Sequence, residues 1–465
     1  MKVRAHIIAL TGIFAVSAFV IPASFDAQEV VKRDTRKAKQ LRDQGDKAYR
    51  QKNYREAVDK YAQSITFDPT NPDAHFWKGY AHQYLKEYDN SIAELNKALE
   101  LGYKPIDVYR IRAYVQYERK DFQAASADLR EALKVSPNDV QLLQVSAEVN
   151  YELKNYDEAL ASYQKLSAKA PVNGNLHYSM SRIYAAMGNF QGQENSAKLA
   201  IQNGTTFLSD ALVLLGDAYQ KGGNVQQAEV AYLKALDSKP DNQVVYRTLA
   251  DIYRSQSRFT DAIEVMRRGL RNFSNNGGFY TDISWYYSLA GRHEEAVQAA
   301  QAGIRYEPNE YMAYTNLCRA YNDVGKPELA ISACNNALKI NPEDGETFFY
   351  LGRANDLLNK PAEATKLYKR AVAGLVNYTK SRPDYSDGFY LLGNAYFADN
   401  QNEKAIEAYN KSLEMSPRFG RARYNLAMVQ LQMKNKVGAS EQYKLLVGID
   451  KDLATKLKTE IDKMP

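Results

Sequence analysis

The sequence predicts an all-α protein, a solenoid of about twelve antiparallel helical hairpins closed by a helix at the C-terminus. Three observations predict it. One motif returns at a nearly constant interval; each interval holds two stretches of helical periodicity; and small residues and prolines recur at fixed places within it.

The N-terminus stands outside that pattern. Lys2 and Arg4 precede an uncharged apolar run from Ile7 to Ile21, and polar residues resume at Asp26. This is the layout of a secretory signal peptide over residues 1–27, with a cut after Ala27 or near Ala23. The competing reading is an uncleaved anchor, although the run falls short of the ~20 residues that span a bilayer. Membrane association is therefore expected only if the segment is retained.

From residue 38 the repeat takes over. Aligning the residue after each turn gives Ala57, Ser91, Ala125, Ala159, Gln193, Ala228, Ala262, Ala296, Ala330, Ala364, Ala405 and Ala439. The intervals are 34 residues except for 35 before Ala228 and 41 before Ala405. In the first unit, Leu41, Gly45, Ala48 and Tyr49 mark one helix and Ala57, Val58, Tyr61 and Ile65 another, with Asn53 between them. Pro69 ends the unit, because proline lacks an N–H and restrains the residue before it. Prolines 137, 171, 240, 308, 342 and 417 recur in register. Glycine or alanine (Gly45, Gly79, Ala113, Ala147, Gly216, Gly352, Gly393) stands where the paired helices must approach closely.

Two irregularities interrupt the register: one residue near Asn203-Gly204, and seven around 379–385. Each reads as a lengthened helix or loop, or as a hinge. The expected organisation is repeats 1–10 over 38–378, repeats 11–12 over 386–453, and a capping helix over 454–465. Leu453, Leu457 and Ile461 give that last helix one apolar face, which an open array needs at its end.

Composition narrows the function classes. Charged residues make up 25% and hydrophobic residues 45%, the balance of a folded protein. Beyond residue 27 there are 59 basic and 54 acidic residues, with the signs interleaved throughout. A nucleic-acid partner would call for a basic stripe, so none is expected. No phosphate-cradling loop, zinc-protease helix or nucleophile elbow occurs, and catalytic, cofactor and metal sites are all read as none. His75 and His82 can share a helix face, but no third ligand accompanies them, and they read as solvated or groove histidines.

The 34-residue period, the small eighth residue, tyrosine at the eleventh (Tyr184, Tyr219, Tyr253, Tyr287, Tyr321, Tyr396), alanine at the twentieth and proline at the thirty-second resemble the tetratricopeptide repeat, here of an exported bacterial type. The resemblance covers 38 to about 453. The fifth unit departs from it with Gln193 and no closing proline, and the ninth carries Cys318 in place of glycine. Cys318 and Cys334 hold positions 8 and 24 of one hairpin, opposite each other. They read either as a disulfide, worth roughly 3 kcal/mol for so short a loop, or as two buried thiols.

The resemblance implies a right-handed superhelix whose first helices line a concave groove, with inner-face positions 2, 5, 9, 12 and 13. Read off the sequence, these include Arg42, Phe76, Tyr80, Tyr84, Arg110, Tyr114, Tyr117, Tyr151 and Tyr178. Farther along come Arg182, Arg247, Arg254, Arg319 and Arg353, then Tyr390 and Tyr424. Tyrosine and arginine are the types enriched at binding hot spots, although any one of these tyrosines can instead pack between helices. The first unit also resembles repeats that clamp a C-terminal carboxylate. Arg42 fits that role, but Asp46 and Trp77 occupy the asparagine places, and a carboxylate aimed at a carboxylate repels it. The expectation is a non-enzymatic scaffold of the periplasm or cell envelope that holds an extended peptide or helix of a partner, as an adaptor in an assembly or secretion complex. The alternative is an envelope carbohydrate-binding protein that uses the same aromatics.

Overall fold

The computed structural model describes residues 33–464. The expected signal peptide lies outside the described residues. Those described form 25 α-helices and no strand: twelve hairpins and one final helix. No helix among them is long and apolar enough to cross a membrane.

The first hairpin, Thr35–Arg50 and Tyr54–Phe67, shows how each is made. Its first helix ends in a left-handed residue, Lys52 (φ 62°), and the N–H of Asn53 reaches back to the Ala48 carbonyl at 2.9 Å. That pairing satisfies carbonyls the helix end would otherwise strand. The same turn recurs in all twelve hairpins, at Lys86, Lys120, Lys154, Gly188, Gly223, Ser257, Gly291, Gly325, Asn359, Asn400 and Lys434. The closing prolines act together with the residue two places on. Asn71, Asp139, Asn173, Asn242 and Asp344 each cap the following helix by accepting from its first N–H groups.

Close approach of the two helices sets the packing inside a hairpin. A Cβ on Gly45 would lie 2.7 Å from the Tyr61 ring, sixteen residues on. Gly216 meets Tyr232 at 2.7 Å, Gly352 meets Tyr368 at 2.6 Å and Gly393 meets Tyr409 at 2.6 Å. Each buried tyrosine then needs a partner for its hydroxyl. Tyr61 donates to Asp46 at 2.7 Å, Tyr232 to Asp217 at 2.5 Å and Tyr409 to Asn394 at 2.7 Å, each on the first helix. In the ninth hairpin Cys318 and Cys334 take these two places and are joined by a disulfide, both fully buried, with Cα atoms 5.2 Å apart. The twentieth-position alanines are sealed in the same contacts, from Ala57 to Ala439 at 0–1% exposure. Gln193, the exception in that series, is also buried and spends its amide on the Leu214 carbonyl at 2.7 Å.

The hairpins fall into two compact units, 33–162 and 163–464, divided within the helix Tyr156–Lys169. In the first unit Tyr61, Phe76, Leu95, Leu129 and Leu142 are core residues. In the second, the insertion lengthens a helix: Pro361–Ser381 runs to 21 residues, against 14 for the equivalent helix Pro327–Ile340, and 382–385 form the turn that follows. The final helix, Lys451–Asp462, buries Ala454, Leu457 and Ile461 against Ala427, Ala439 and Leu446, with Leu453 partly covered.

The second unit also winds back on itself. Ser257, in the turn of the seventh hairpin, accepts from the Gly420 N–H at 3.2 Å and donates to the Arg418 carbonyl at 2.9 Å. Arg421 donates to the Ser288 and Leu289 carbonyls at 3.0 and 2.7 Å. Arg254 stands 2.6 Å from Asp387, and both are buried. Inner faces of hairpins 7 and 8 therefore meet hairpins 11 and 12. This corrects three of the expected groove residues. Arg254 and Arg319 are 6% and 3% exposed, and Tyr390 packs on Phe419 with ring centroids 4.8 Å apart. Winding encloses Arg254 against Asp387, whereas Arg319 and Tyr390 are covered by adjacent hairpins, through Trp285 and Tyr350 and through Phe419.

Two carboxyls of this unit are shifted. Burial pushes the Glu346 carboxyl up to about 7, with Arg319 opposing and Asp344 and Asp387 adding to the rise. Burial likewise takes Asp282 up to about 6, against the pull of Arg247. A raised carboxyl contributes stability below its ordinary range, and that stability is lost as pH rises through the folded value. The protein should therefore melt higher at pH 5.5 than at pH 8 through these groups, and Glu346→Gln should flatten the dependence; parallel curves for variant and parent in thermal scans would refute it. Packing gives a second expectation. Gly216→Val should cost roughly 1–3 kcal/mol by driving a side chain into Tyr232. Lys120→Gly, which relieves a left-handed residue, should add about 0.5 kcal/mol. Urea melts of the two variants check both signs.

Candidate functional site

The 34-residue period brings equivalent positions of successive first helices side by side. In the first unit those positions are aromatic. Tyr49 touches Tyr54, Trp77, Tyr80 and Tyr84, with ring centroids 5.5, 5.5, 5.6 and 5.8 Å away. Tyr54 stacks on Tyr84 at 4.5 Å, and Phe76 stacks on Tyr103 at 4.1 Å. Beside this cluster opens a groove of about 750 Å³, whose lining includes Phe76, Tyr80, Tyr84, Arg110, Tyr114 and Tyr117. That volume lies in the range of ligand-binding clefts.

The groove has a buried floor and an accessible rim. Phe76 is 4% exposed and forms the floor; Tyr84 and Tyr114 are 46% and 40% exposed. Burial pushes the Tyr80 hydroxyl up to about 12, and raises Tyr114 and Tyr117 with the help of Glu118 and Glu148. The phenols therefore stay protonated and available as donors near neutral pH. Arg110 is held by Asp139 at 2.8 Å while its Nε, also buried, has no hydrogen-bond partner. Apolar rings, phenolic donors and a tethered guanidinium can together hold an extended or helical segment by stacking and directed hydrogen bonds.

Six of the expected residues thus converge: Phe76, Tyr80, Tyr84, Arg110, Tyr114 and Tyr117. The others do not join them. Arg42 lies between Asp43 and Asp73, at 3.2 and 3.8 Å. Tyr151 is half-buried against Tyr156, with ring centroids 5.9 Å apart. In the second unit Tyr178 stacks on Phe207 at 4.8 Å with Arg182 over its ring. Arg247 pairs with Asp282 at 2.8 Å and Arg353 with Asp323 at 3.3 Å, and Tyr424 packs towards the final helix. Trp77 and Tyr103 line the groove without being anticipated. Trp77 is at position 6, on the same helical stripe as positions 2, 5, 9, 12 and 13, so a full stripe would have included it. Tyr103 follows the second helix of its hairpin, where an inner-face template does not look.

The histidines correct the expectation of solvated or groove side chains. His75 and His82 are 7% and 6% exposed, and each binds its own carboxylate, Glu94 and Glu87, at 2.6 Å. Among the described residues no group of three or more acidic, histidine or cysteine side chains is placed to hold a metal ion.

Models of the tetratricopeptide repeat match residues 45–86, 72–101, 116–183, 213–277, 282–345, 315–378 and 393–434. The chain belongs to the tetratricopeptide-repeat family. It is thereby one of a family of protein-binding scaffolds. A stretch of 49 residues is 43% identical to the UDP-N-acetylglucosamine–peptide N-acetylglucosaminyltransferase of Giardia intestinalis, covering 10% of this chain and 3% of that one. Another of 65 residues is 37% identical to small glutamine-rich tetratricopeptide repeat-containing protein 2 of Saccharomyces cerevisiae, covering 14% of this chain and 19% of that one. The chain thus spans under a fifth of either relative. Among solved structures it is similar to Naa15/Naa10 bound to HypK-THB, at 15% identity over 88% of this chain and 68% of that one, TM-score 0.42. Yeast Tom70 is similar at 15% identity over 91% and 95%, TM-score 0.40.

Floor and rim should separate by mutation. Phe76→Ala should cost roughly 3–5 kcal/mol of stability, whereas Tyr114→Ala should stay within about 0.5 kcal/mol. Equal losses for the two in chemical denaturation would place Tyr114 in the core and remove it from the binding surface.

Proposed function

We propose that this tetratricopeptide-repeat chain holds an extended segment or helix of a partner protein in the aromatic groove of its first unit, as a non-enzymatic adaptor in the periplasm or cell envelope. The observation that carries the reading is the groove itself: exposed Tyr84 and Tyr114 stand over buried Phe76, with Arg110 at the edge. A rigid aromatic floor with a polar rim is how a protein surface concentrates binding energy in a few residues. The location rests on two supports: the signal-peptide layout of residues 1–27, and the disulfide between Cys318 and Cys334, a bond that persists in oxidising compartments.

The same aromatics raise the carbohydrate reading, but their arrangement favours protein. Tyr49 meets Tyr54, Trp77 and Tyr84 edge to face, and Tyr54 and Tyr84 cover each other. A sugar ring needs an open flat face, and Tyr49, Tyr54, Trp77 and Tyr84 turn theirs towards one another.

The test is affinity capture from the cell envelope with the tagged full chain, run in parallel with a Tyr84→Ala/Tyr114→Ala variant of the exposed rim, its folding checked by a melting curve. A stoichiometric protein that the parent retains and the variant loses is the expected result. Equal recovery by both would remove the groove from the function, and N-terminal mass analysis beginning at Gln28 would check export and cleavage.

A further inference from the structure

The second unit contains a cavity, with exposed Glu343, Asn377 and Ser381 at its edge, that the groove reading does not use. It has a volume of about 410 Å³ and lies among the first helices of hairpins 8 to 11, Gly277–Leu289, Tyr311–Asp323, Gly345–Leu357 and Ser386–Ala398. Part of its wall exists only because of the seven-residue insertion. Leu375, Asn377, Tyr378 and Ser381 belong to the two extra turns of Pro361–Ser381 and line the chamber. The irregularity in the repeat register therefore builds a cavity.

Its chemistry is one-sided. Asp282, Glu343, Asp344, Glu346 and Asp387 line it, and no lysine, arginine or histidine is among the lining residues. Four arginines stand at the wall, one of them Arg382, 5.8 Å from the centroid of the Tyr378 ring. Arg247 bonds Asp282 at 2.8 Å, Arg254 contacts Asp387 at 2.6 Å, and Arg319 comes no nearer than 3.6 Å to Glu346. Five carboxylates against four guanidiniums leave the lining net negative.

Two of these carboxylates are poorly met. Asp387 is 1% exposed; Arg254 at 2.6 Å is its ion-pair partner, and neither of its oxygens accepts a hydrogen bond. Glu346 is 8% exposed, and Arg319 is drawn away from it onto the face of Trp285, 3.9 Å from the ring centroid, with a hydrogen bond to Asn316. A buried carboxylate short of hydrogen-bond donors is costly even beside a guanidinium, and a further N–H donor relieves it. Trp285, Tyr378 and Tyr385 supply ring surface in the same wall, and two of these rings already meet cations of this chain by cation–π contact, Trp285 with Arg319 and Tyr378 with Arg382. The acidic groups do not converge as metal ligands among the described residues.

We infer that this chamber is a binding site for an organic cation bearing an ammonium or guanidinium group, held by Glu346 and Asp387 and flanked by Trp285 and Tyr378. The volume admits a small amine or guanidino compound, or one lysine or arginine side chain of a partner. Both sources present the same cationic nitrogen to the same carboxylates. The inference is independent of the groove in the first unit.

The protein has two tryptophans, so Trp77→Phe leaves Trp285 as the reporter inside the chamber. The full chain carrying that change is titrated with agmatine, with the capped tripeptide acetyl-Gly-Arg-Gly-amide and with neutral 1,4-butanediol, at about pH 8 where Glu346 and Asp282 are ionised. The expected result is a saturable change in Trp285 emission and a raised melting temperature with agmatine, the tripeptide or both, and none with the diol. Agmatine alone identifies a free compound as the ligand; the tripeptide, with or without agmatine, identifies a protein side chain. Glu346→Gln should weaken binding at least about tenfold, and Tyr378→Leu, which leaves every charge in place, should weaken it independently. Silence from agmatine and the tripeptide up to about 10 mM, or binding unchanged in both variants, would overturn the assignment.

Discussion

Everything in this molecule depends on how closely the two helices of a hairpin approach at positions 8 and 24. Where position 8 is glycine, position 24 is free to be a tyrosine whose ring lies flat on the opposing backbone, as Gly45 and Tyr61 or Gly393 and Tyr409 do. Its hydroxyl must then find a partner one residue beyond that glycine, and Asp46, Asp217 and Asn394 supply it. The same geometry explains the disulfide. Two positions that face each other at the closest point of a hairpin are also the two that a pair of cysteines can bridge, and Cys318 and Cys334 occupy them. Packing, hydroxyl satisfaction and cross-linking are three uses of one distance.

Winding then gives the two units different interiors from the same building block. In the first, the inner face carries rings that lie against one another and leave a groove beside exposed Tyr84 and Tyr114. In the second, hairpins 7 and 8 reach hairpins 11 and 12, and the inner face is consumed by its own contacts. These contacts are polar. Arg421 reaches backbone carbonyls and Arg254 meets Asp387, so the closure is held by charge and hydrogen bonds rather than by a second apolar core. Such an interior needs its charges balanced, and the raised carboxyls of Glu346 and Asp282 mark where the balance is incomplete.

Legibility follows from the range over which each feature is decided. The groove residues Tyr80, Tyr84, Tyr114 and Tyr117 could be read because they sit on consecutive repeats of one unit, where a fixed register places like positions side by side. Arg254, Arg319 and Tyr390 occupy equally well-chosen positions. Their fate was set by hairpins more than a hundred residues away in one case, Arg254 and Asp387, which no local period encodes. Trp77 was one step off the chosen stripe. Tyr103 came from a different helix end altogether.

The sequence by itself determined the hairpin: its two helices, its left-handed turn, its buried twentieth residue and its repetition twelve times over. Each of these is local, decided within 34 residues by backbone sterics, capping and side-chain size, and so each leaves a periodic mark. Only the tertiary structure decided which inner faces stay open and which close, and that the seven inserted residues would lengthen a helix and wall a chamber. Small differences in how each hairpin sits on the next accumulate along a solenoid, so contact between distant repeats depends on the sum of many packings and on no single residue pattern.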